Sequence, residues 1–326
     1  MGLRRTGRAG AGVVGALCAG LVAVGLSACG GAAVTDATSP RACTNASELA
    51  TWPLARLANE TVAVPTQAVD TASLAALVKE NYGGILLFGT TAPKNLGATI
   101  TKLDATTGGA GLLIMTDEEG GGVMRLDNLV TAIPWAQTMG KTMTPAQITA
   151  VARRVGAQLL AAGVNMDLAP VLDVDGRAVY PGAADPDGFR SFSGSTATVI
   201  ADGTAFMQGL AQSGVIPVAK HFPGLGGSSG NTDDGPASTL PWTTLEAGGL
   251  RTFAAAIAKG VPSIMVSNAT VPGLSSIPAS LSATVMTTEL RQKLHFTGLV
   301  MTDSLTAGAI SALHISVPTA AARAVI

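Results

Sequence analysis

Cysteine, histidine, aromatic and charged residues are all scarce in this chain of 326 residues. Its 3 Cys and 3 His are too few for a disulfide framework or paired zinc knuckles, and too scattered for a dedicated metal cage. Charged residues make up 13%, about half the usual ~25%. Their signs nearly cancel, 20 Lys+Arg against 21 Asp+Glu, for a formal net charge of −1. That balance excludes the basic stripe of an electrostatic nucleic-acid binder, and 47% hydrophobic residues exclude a disordered chain. No cofactor, metal or nucleic-acid partner is expected. There is no Walker loop and no Gly-x-Ser-x-Gly elbow after a strand.

The N-terminus reads as an address. Arg4, Arg5 and Arg8 precede an uncharged run from Ala9 to Cys29, the n-region and h-region of an export signal. The run closes on Leu26-Ser27-Ala28-Cys29, which resembles the lipobox of bacterial lipoproteins. Residues 1–28 are expected to be a signal peptide, Cys29 to be diacylated, and residues 29–50 to be a flexible tether. Two acyl chains hold a protein at a membrane stably, where one is marginal. The chain is then exported and anchored to the outer face of the cell membrane. The plainer alternative is a secreted protein in which Cys29 is one more small residue. Past this segment no charge-free apolar run reaches the ~18 residues that a membrane span needs.

From Trp52 onward, short apolar runs alternate with longer Ala-rich segments of helical spacing, the rhythm of parallel strands and crossover helices. The runs are Gly84–Phe88, Leu112–Met115, Val164–Leu172, Val215–Ala219, Ser263–Val266 and Leu299–Met301. Each is nearly unbroken, as strands buried on both faces require. Most end in polar groups: Thr116-Asp117, Asp173, Lys220-His221, Ser267-Asn268 and Thr302-Asp303. A doubly wound sheet shows the same rhythm. Polar ends on many strands, instead of a cluster at one switch point, favour an α/β fold of the (β/α)8 barrel type, whose strand ends converge on one mouth.

Several of these ends carry possible chemistry. In Asp117-Glu118-Glu119-Gly120-Gly121-Gly122-Val123-Met124-Arg125, three glycines let the backbone turn sharply, so Asp117 and Arg125 can hold hydroxyls from opposite sides. Taken alone, the segment is an ordinary turn with solvated acids. Lys220 and His221 adjoin the end of an apolar strand, where both are costly without partners. The following loop, Gly227 to Gly235, carries adjacent Asp233 and Asp234; it is either a solvated turn or a mobile catalytic loop. Asp303 ends another buried strand, where it can cap a helix or act as a nucleophile. Asp173-Val174-Asp175-Gly176 and Asp185-Pro186-Asp187-Gly188 match pieces of calcium loops without the remaining ligands, and are read as turns.

In order along the chain, Gly83–Phe88, Asp117–Gly121, Leu168–Val174, Arg190-Ser191-Phe192, Lys220–Gly224 and Met301–Ser304 resemble glycoside hydrolase family 3, in particular its bacterial β-N-acetylhexosaminidase branch. The resemblance covers about residues 50–326, and Lys-His-Phe-Pro-Gly is its most specific part. It implies a barrel that cleaves terminal β-linked N-acetylglucosamine with retention of configuration. Asp303 aligns with the nucleophile; Asp117, Arg125, Arg190, Lys220 and His221 align with residues that bind and orient the sugar. Such chemistry needs an ionised carboxylate and a second, protonatable group about 5–5.5 Å away.

The chain departs from the family twice. In that branch the acid/base is a His paired with an Asp on the loop after Lys-His-Phe-Pro-Gly, but here the corresponding loop has Asn231 and Asp233, while the remaining His295 and His314 lie elsewhere. Asp233, or else Asp234, is the expected proton donor, with His221 a weaker option. The sequence also stops at Ile326, one strand and helix earlier than the family normally does, so a barrel short of its closing unit is expected. The first reading is an exo-β-N-acetylglucosaminidase acting on cell-wall sugars. A β-glucosidase of the same family and a sugar-binding lipoprotein without turnover are the alternatives.

Overall fold

The apolar runs become parallel strands. In a computed structural model, the structure describes residues 46–107 and 111–325. The signal peptide, Cys29 and all but the last part of the tether lie outside the described residues. Seven strands form one sheet: β1 (Ala63–Gln67), β2 (Gly84–Phe88), β3 (Leu113–Thr116), β4 (Met166–Asp167), β5 (Ile216–Phe222), β6 (Ser263–Val266) and β7 (Leu299–Thr302). Their spatial order is their sequence order, and every neighbouring pair is parallel. A doubly wound sheet reverses its order at a switch point. This one never does, so the described residues have the barrel-type topology, with seven strands among them.

Side-chain alternation shows that the sheet is rolled. Met115, Met166, Leu168, Val218 and Met265 form one buried cluster, joined by Leu86, Leu113, Ile216 and Met301. Residues from β2 through β7 thus meet on one face, the packed interior of a barrel. The alternate residues Ile85, Leu87, Ile114, Ala219, Ile264 and Val266 belong to a second, larger cluster, which the helices cover.

Local signals set the ends of those helices. In Pro145–Ala161, Thr144 and Gln147 make a reciprocal capping box and Pro145 occupies the first turn, where its missing N–H is no loss. Thr196–Ser213 starts at Ser195, whose side chain accepts from Thr198 N, and ends at Gly214 in the left-handed region, φ 92°. Thr149 Oγ1 donates to Ala205 O at 3.0 Å, tying the two helices together. Among the described residues no helix is long and apolar enough to cross a membrane.

Three departures from the sequence reading have physical reasons. The run Val164–Leu172 is regular only over Met166–Asp167, because Pro170 lacks an N–H for the ladder. It nonetheless continues beside β5, with Val218 N donating to Ala169 O and Leu172 N to Lys220 O. Conversely, β5 runs on through Lys220 and His221 to Phe222, so that pair lies within a strand and not just beyond one. The third is β1, which pairs with β2 alone and whose residues are half-buried or exposed; it contains Pro65, as an edge strand can.

Candidate active site

The carboxyl ends of β3, β4, β5 and β7 bring the titratable groups together. Asp117, Glu118 and Glu119 follow β3 directly. The turn after them needs glycine: at Gly121 φ is +61°, and a Cβ would come 1.9 Å from the Trp135 ring. β5 contributes Lys220 and His221. Its ladder with β6 slips between Ala219 and Phe222, and at such an irregularity a strand re-aims its side chains. Consecutive Lys220 and His221 both turn toward acids, Lys220 toward Asp117 and Glu119 and His221 toward Asp173.

The acids around Lys220 form an ion network. Lys220 Nζ lies 2.7 Å from Asp117 Oδ1 and 2.6 Å from Glu119 Oε1. Glu119 also grips Arg190 with both oxygens, at 2.7 Å from Nε and 2.8 Å from Nη2. Arg125 Nε stands 3.9 Å from Asp117 Oδ2, and its guanidinium lies 5.4 Å from the centre of the Phe88 ring. Burial alone would raise the Glu119 carboxyl, but the charges of Arg190 and Lys220 outweigh it and hold Glu119 well below the usual carboxylate range. Burial likewise works against the charged Lys220, and Asp117 and Glu119 reverse it, so its pKa is raised. Buried charges that are paired in this way stay ionised.

His221 is held on both sides. Its Nδ1 lies 2.6 Å from Asp173 Oδ2, and Arg190 Nη2 lies 3.4 Å from its Nε2. A guanidinium can only donate, so Nε2 accepts and Nδ1 carries the proton given to Asp173. Burial, then the Arg190 charge, push His221 down to about 4, against an upward pull from Asp303. The short contact to Asp173 is thus a hydrogen bond from a neutral imidazole and not an ion pair. Asp173 further accepts from the backbone N–H groups of His221, at 3.1 Å, and Leu225, at 2.6 Å. Burial nevertheless raises it to about 7.

Asp303 follows β7, with its backbone N–H bonded to Val266 O and its Oδ1 accepting from Ser304 N at 2.7 Å. It is half-buried, and its charge is felt at His221. Asn268, beyond β6, steadies the same corner: its Nδ2 donates to Ser304 O at 2.7 Å, and its Oδ1 accepts from Ser280 Oγ at 2.6 Å.

The loop carrying Asp233 and Asp234 docks on the segment that follows Asp303. Gly308 N donates to Asp233 O and Ala309 N to Thr232 O, both at 2.9 Å. A Cβ at Gly308 would come within 2.6 Å of Asp234 C, so glycine permits the approach. Both Asp233 and Asp234 are exposed. The loop is thus pinned through its backbone beside the β7 end, with its acids on the surface.

The structure therefore brings together Asp117, Arg125, Arg190, Lys220 and His221, with Asp303 acting on the group from the neighbouring strand. Sequence reasoning passed over Glu119, the acid that joins Lys220 to Arg190. The two aspartate-rich stretches read as turns divide. Asp175 and Asp185 do serve turns, pairing with Arg177 at 3.0 and 2.7 Å. Asp187 also opens a turn, its O accepting from Arg190 N at 2.8 Å, but its side chain and that of Asp173 are wholly buried beside His221; the unbroken Leu168–Leu172 run ahead of Asp173 was the available signal.

A stretch of the chain, residues 56–325, matches the model of the Glycosyl hydrolase family 3 N terminal domain. The beta-hexosaminidase LpqI of Mycobacterium tuberculosis is 37% identical over 222 residues, covering 66% of this chain and 55% of LpqI. The chain thus spans about half the length of that curated relative. The structure of M. tuberculosis LpqI superposes with a TM-score of 0.77 at 32% identity, covering 87% of this chain and 84% of that one. An uncharacterized secreted glycosyl hydrolase of Arthroderma benhamiae is 35% identical over 257 residues, 73% of this chain and 69% of that protein. NagZ of Neisseria gonorrhoeae, solved in complex with N-trifluoroacetyl-D-glucosamine, gives a TM-score of 0.67 at 26% identity over 81% of this chain and 78% of that one.

Proposed function

The chain belongs to glycosyl hydrolase family 3, and from that premise we propose that it is a retaining exo-β-N-acetylglucosaminidase. Its substrate is a terminal β-linked N-acetylglucosamine on peptidoglycan-derived sugars. The observation that carries this reading is the charged mouth around Lys220 and Glu119. Asp117, Arg125, Arg190, Lys220 and His221 offer fixed donors and acceptors to sugar hydroxyls, beside a half-buried Asp303.

In the proposed reaction the Asp303 carboxylate attacks the anomeric carbon. The bond from that carbon to the leaving oxygen breaks, and Asp233, or failing it Asp234, delivers a proton to the departing oxygen. Water then attacks the glycosyl ester, giving up a proton to the same carboxylate as it does so, and Asp303 is freed. A sugar lying over the docked 231–235 loop would shield the donor carboxyl from water as it hands over its proton. Neutral His221, fixed by Asp173, orients the ring and takes no part in proton transfer.

The proposal extends to location: Cys29 carries the lipid, and the barrel works outside the cytoplasm, where cell-wall fragments occur. A secreted relative supports export. Parallel assays with the p-nitrophenyl glycosides of N-acetylglucosamine and glucose test the reading. Release from the N-acetylglucosaminide is expected to dominate. Preference for the glucoside would make the chain a β-glucosidase, and tight binding of N-acetylglucosamine with no release from either would make it a binding protein.

A further inference from the structure

Aromatic residues are few in this chain, 3 Trp, 2 Tyr and 7 Phe, yet one of each kind meets at the rim of the mouth. Trp135, Tyr180 and Phe189 touch pairwise, with ring centres 6.0 Å apart for Trp135–Tyr180, 5.9 Å for Trp135–Phe189 and 5.1 Å for Tyr180–Phe189. Two further ring pairs, Phe192–Phe206 and Phe222–Phe253, lie in the core. The trio does not: Trp135 and Phe189 are half-buried, and Tyr180 is 75% exposed. A ring of that size stabilises a fold by leaving water. Rings kept in water at the edge of a site mark a surface that a ligand covers.

The neighbours of the rings indicate which ligand. Phe189 directly precedes Arg190, whose guanidinium Glu119 clamps in the mouth. Trp135 lies against Gly121 and Gly122, where a Cβ would come within 1.9 and 3.0 Å of its ring, in the turn that follows Asp117 and Glu119. The Tyr180 loop also reaches the other side of the reaction: Asn231 N, two residues before Asp233, donates to Ala183 O at 2.8 Å. The ring-bearing segment thus links the residues that hold the terminal sugar to the loop that carries the proposed proton donor. A leaving group that takes its proton from that loop lies beside the rings. We propose that Tyr180, braced by Phe189 and Trp135, is the platform for the leaving-group sugar, a second pyranose whose apolar C–H face lies on the phenol ring. The phenol suits such a guest, with an apolar body and a wet hydroxyl end. The platform makes the chain favour oligosaccharides over N-acetylglucosaminides of small alcohols. It deepens the reading of the chain as an N-acetylglucosaminidase and rests on it.

The test uses the full chain and two substrates with alkoxide leaving groups, N,N′-diacetylchitobiose and methyl β-N-acetylglucosaminide, of which only the first has a second ring. Tyr180→Ala should lower kcat/KM on the disaccharide at least ~3-fold, within what one aromatic contact is worth, and leave the methyl glycoside unchanged. Tyr180→Phe, which keeps the ring, should match the parent on both. Binding decides the same point without turnover. In the Asp303→Asn background, calorimetry should show the disaccharide bound more tightly than N-acetylglucosamine, and adding Tyr180→Ala should abolish that excess. If neither substrate is hydrolysed but the excess is present and lost with the ring, the hydrolase reading falls and the platform stands. Equal losses on both substrates, no loss on the disaccharide, an excess that survives Tyr180→Ala, or no excess with Tyr180 in place would each overturn the inference.

Discussion

Glu119 holds Arg190 with both carboxylate oxygens, at 2.7 Å from Nε and 2.8 Å from Nη2, although the two residues are 71 positions apart in the chain. The same carboxylate touches Lys220 at 2.6 Å. One acid from the β3 end thus clamps cations contributed by two other segments, and the mouth of the barrel depends on it. Replacing Glu119 by Gln leaves a buried guanidinium without its counter-charge, a change that costs about 3–5 kcal/mol for buried pairs. Urea denaturation of Glu119→Gln should show a loss of that order; a change within ~0.5 kcal/mol, typical of surface sites, would mean that Arg190 finds other partners.

Glu118 makes stability depend on pH in a direction opposite to that of a salt-bridged acid. Its Oε1 accepts from Arg125 N and Leu126 N, its Oε2 has no partner among the described residues, and burial raises it from 4.5 to about 7. A carboxyl raised in the folded state holds its proton there after the unfolded chain has lost it. Its contribution is full below about 4.5 and is lost as pH rises toward 7. His221 runs the other way, because it is pushed down to about 4 and so favours higher pH. The two are separated by taking the difference between Glu118→Gln and the parent chain. That difference in unfolding free energy should grow in favour of the variant from pH 5 to pH 8. A difference that stays flat would mean Glu118 is ionised throughout.

Asp233 is tested by the leaving group. A general acid contributes about 10²–10⁴-fold, and the contribution matters most when the departing oxygen is basic. Asp233→Asn is expected to lose kcat/KM within that range on an aryl glycoside with a poor leaving group, and much less on the p-nitrophenyl glycoside. Equal rates for variant and parent on the poor leaving group would move the role to Asp234, where the same pair of assays applies.

The turn that aims Asp117 and Glu119 depends on Gly121. A Cβ there would sit 1.9 Å from the Trp135 ring, on a backbone at φ +61°. Gly121→Ala should destabilise by about 1–3 kcal/mol, as overpacking does, and raise KM for the sugar. A thermal midpoint and KM equal to the parent's would show that Trp135 gives way freely.

Strands β2, β3 and β6 were legible because burial on both faces leaves an unbroken apolar run; β7 keeps such a run although it is an edge strand, half-buried or exposed, and was legible with them. β1 was not: on the open edge, half-buried and interrupted by Pro65, it has neither an apolar run nor clean alternation. Asp117, Lys220 and His221 could be picked out because each stands where apolar residues stop. Glu119 and Asp187 had no such mark. An acid clamping two distant cations and an acid buried beside a histidine look, in one dimension, like the solvated acids around them. Their roles arise from contacts 71 and more residues away, or, for Asp187, from closure of the chain around His221.

The most direct test of the account is to capture the sugar on the enzyme. The chain is incubated with a 5-fluoro N-acetylglucosaminyl analogue bearing an activated leaving group, then digested, and the labelled peptide is sequenced. The account predicts one sugar per chain, esterified to Asp303, and no label in Asp303→Asn. A label on another carboxylate, or steady product release with no ester formed, would contradict it.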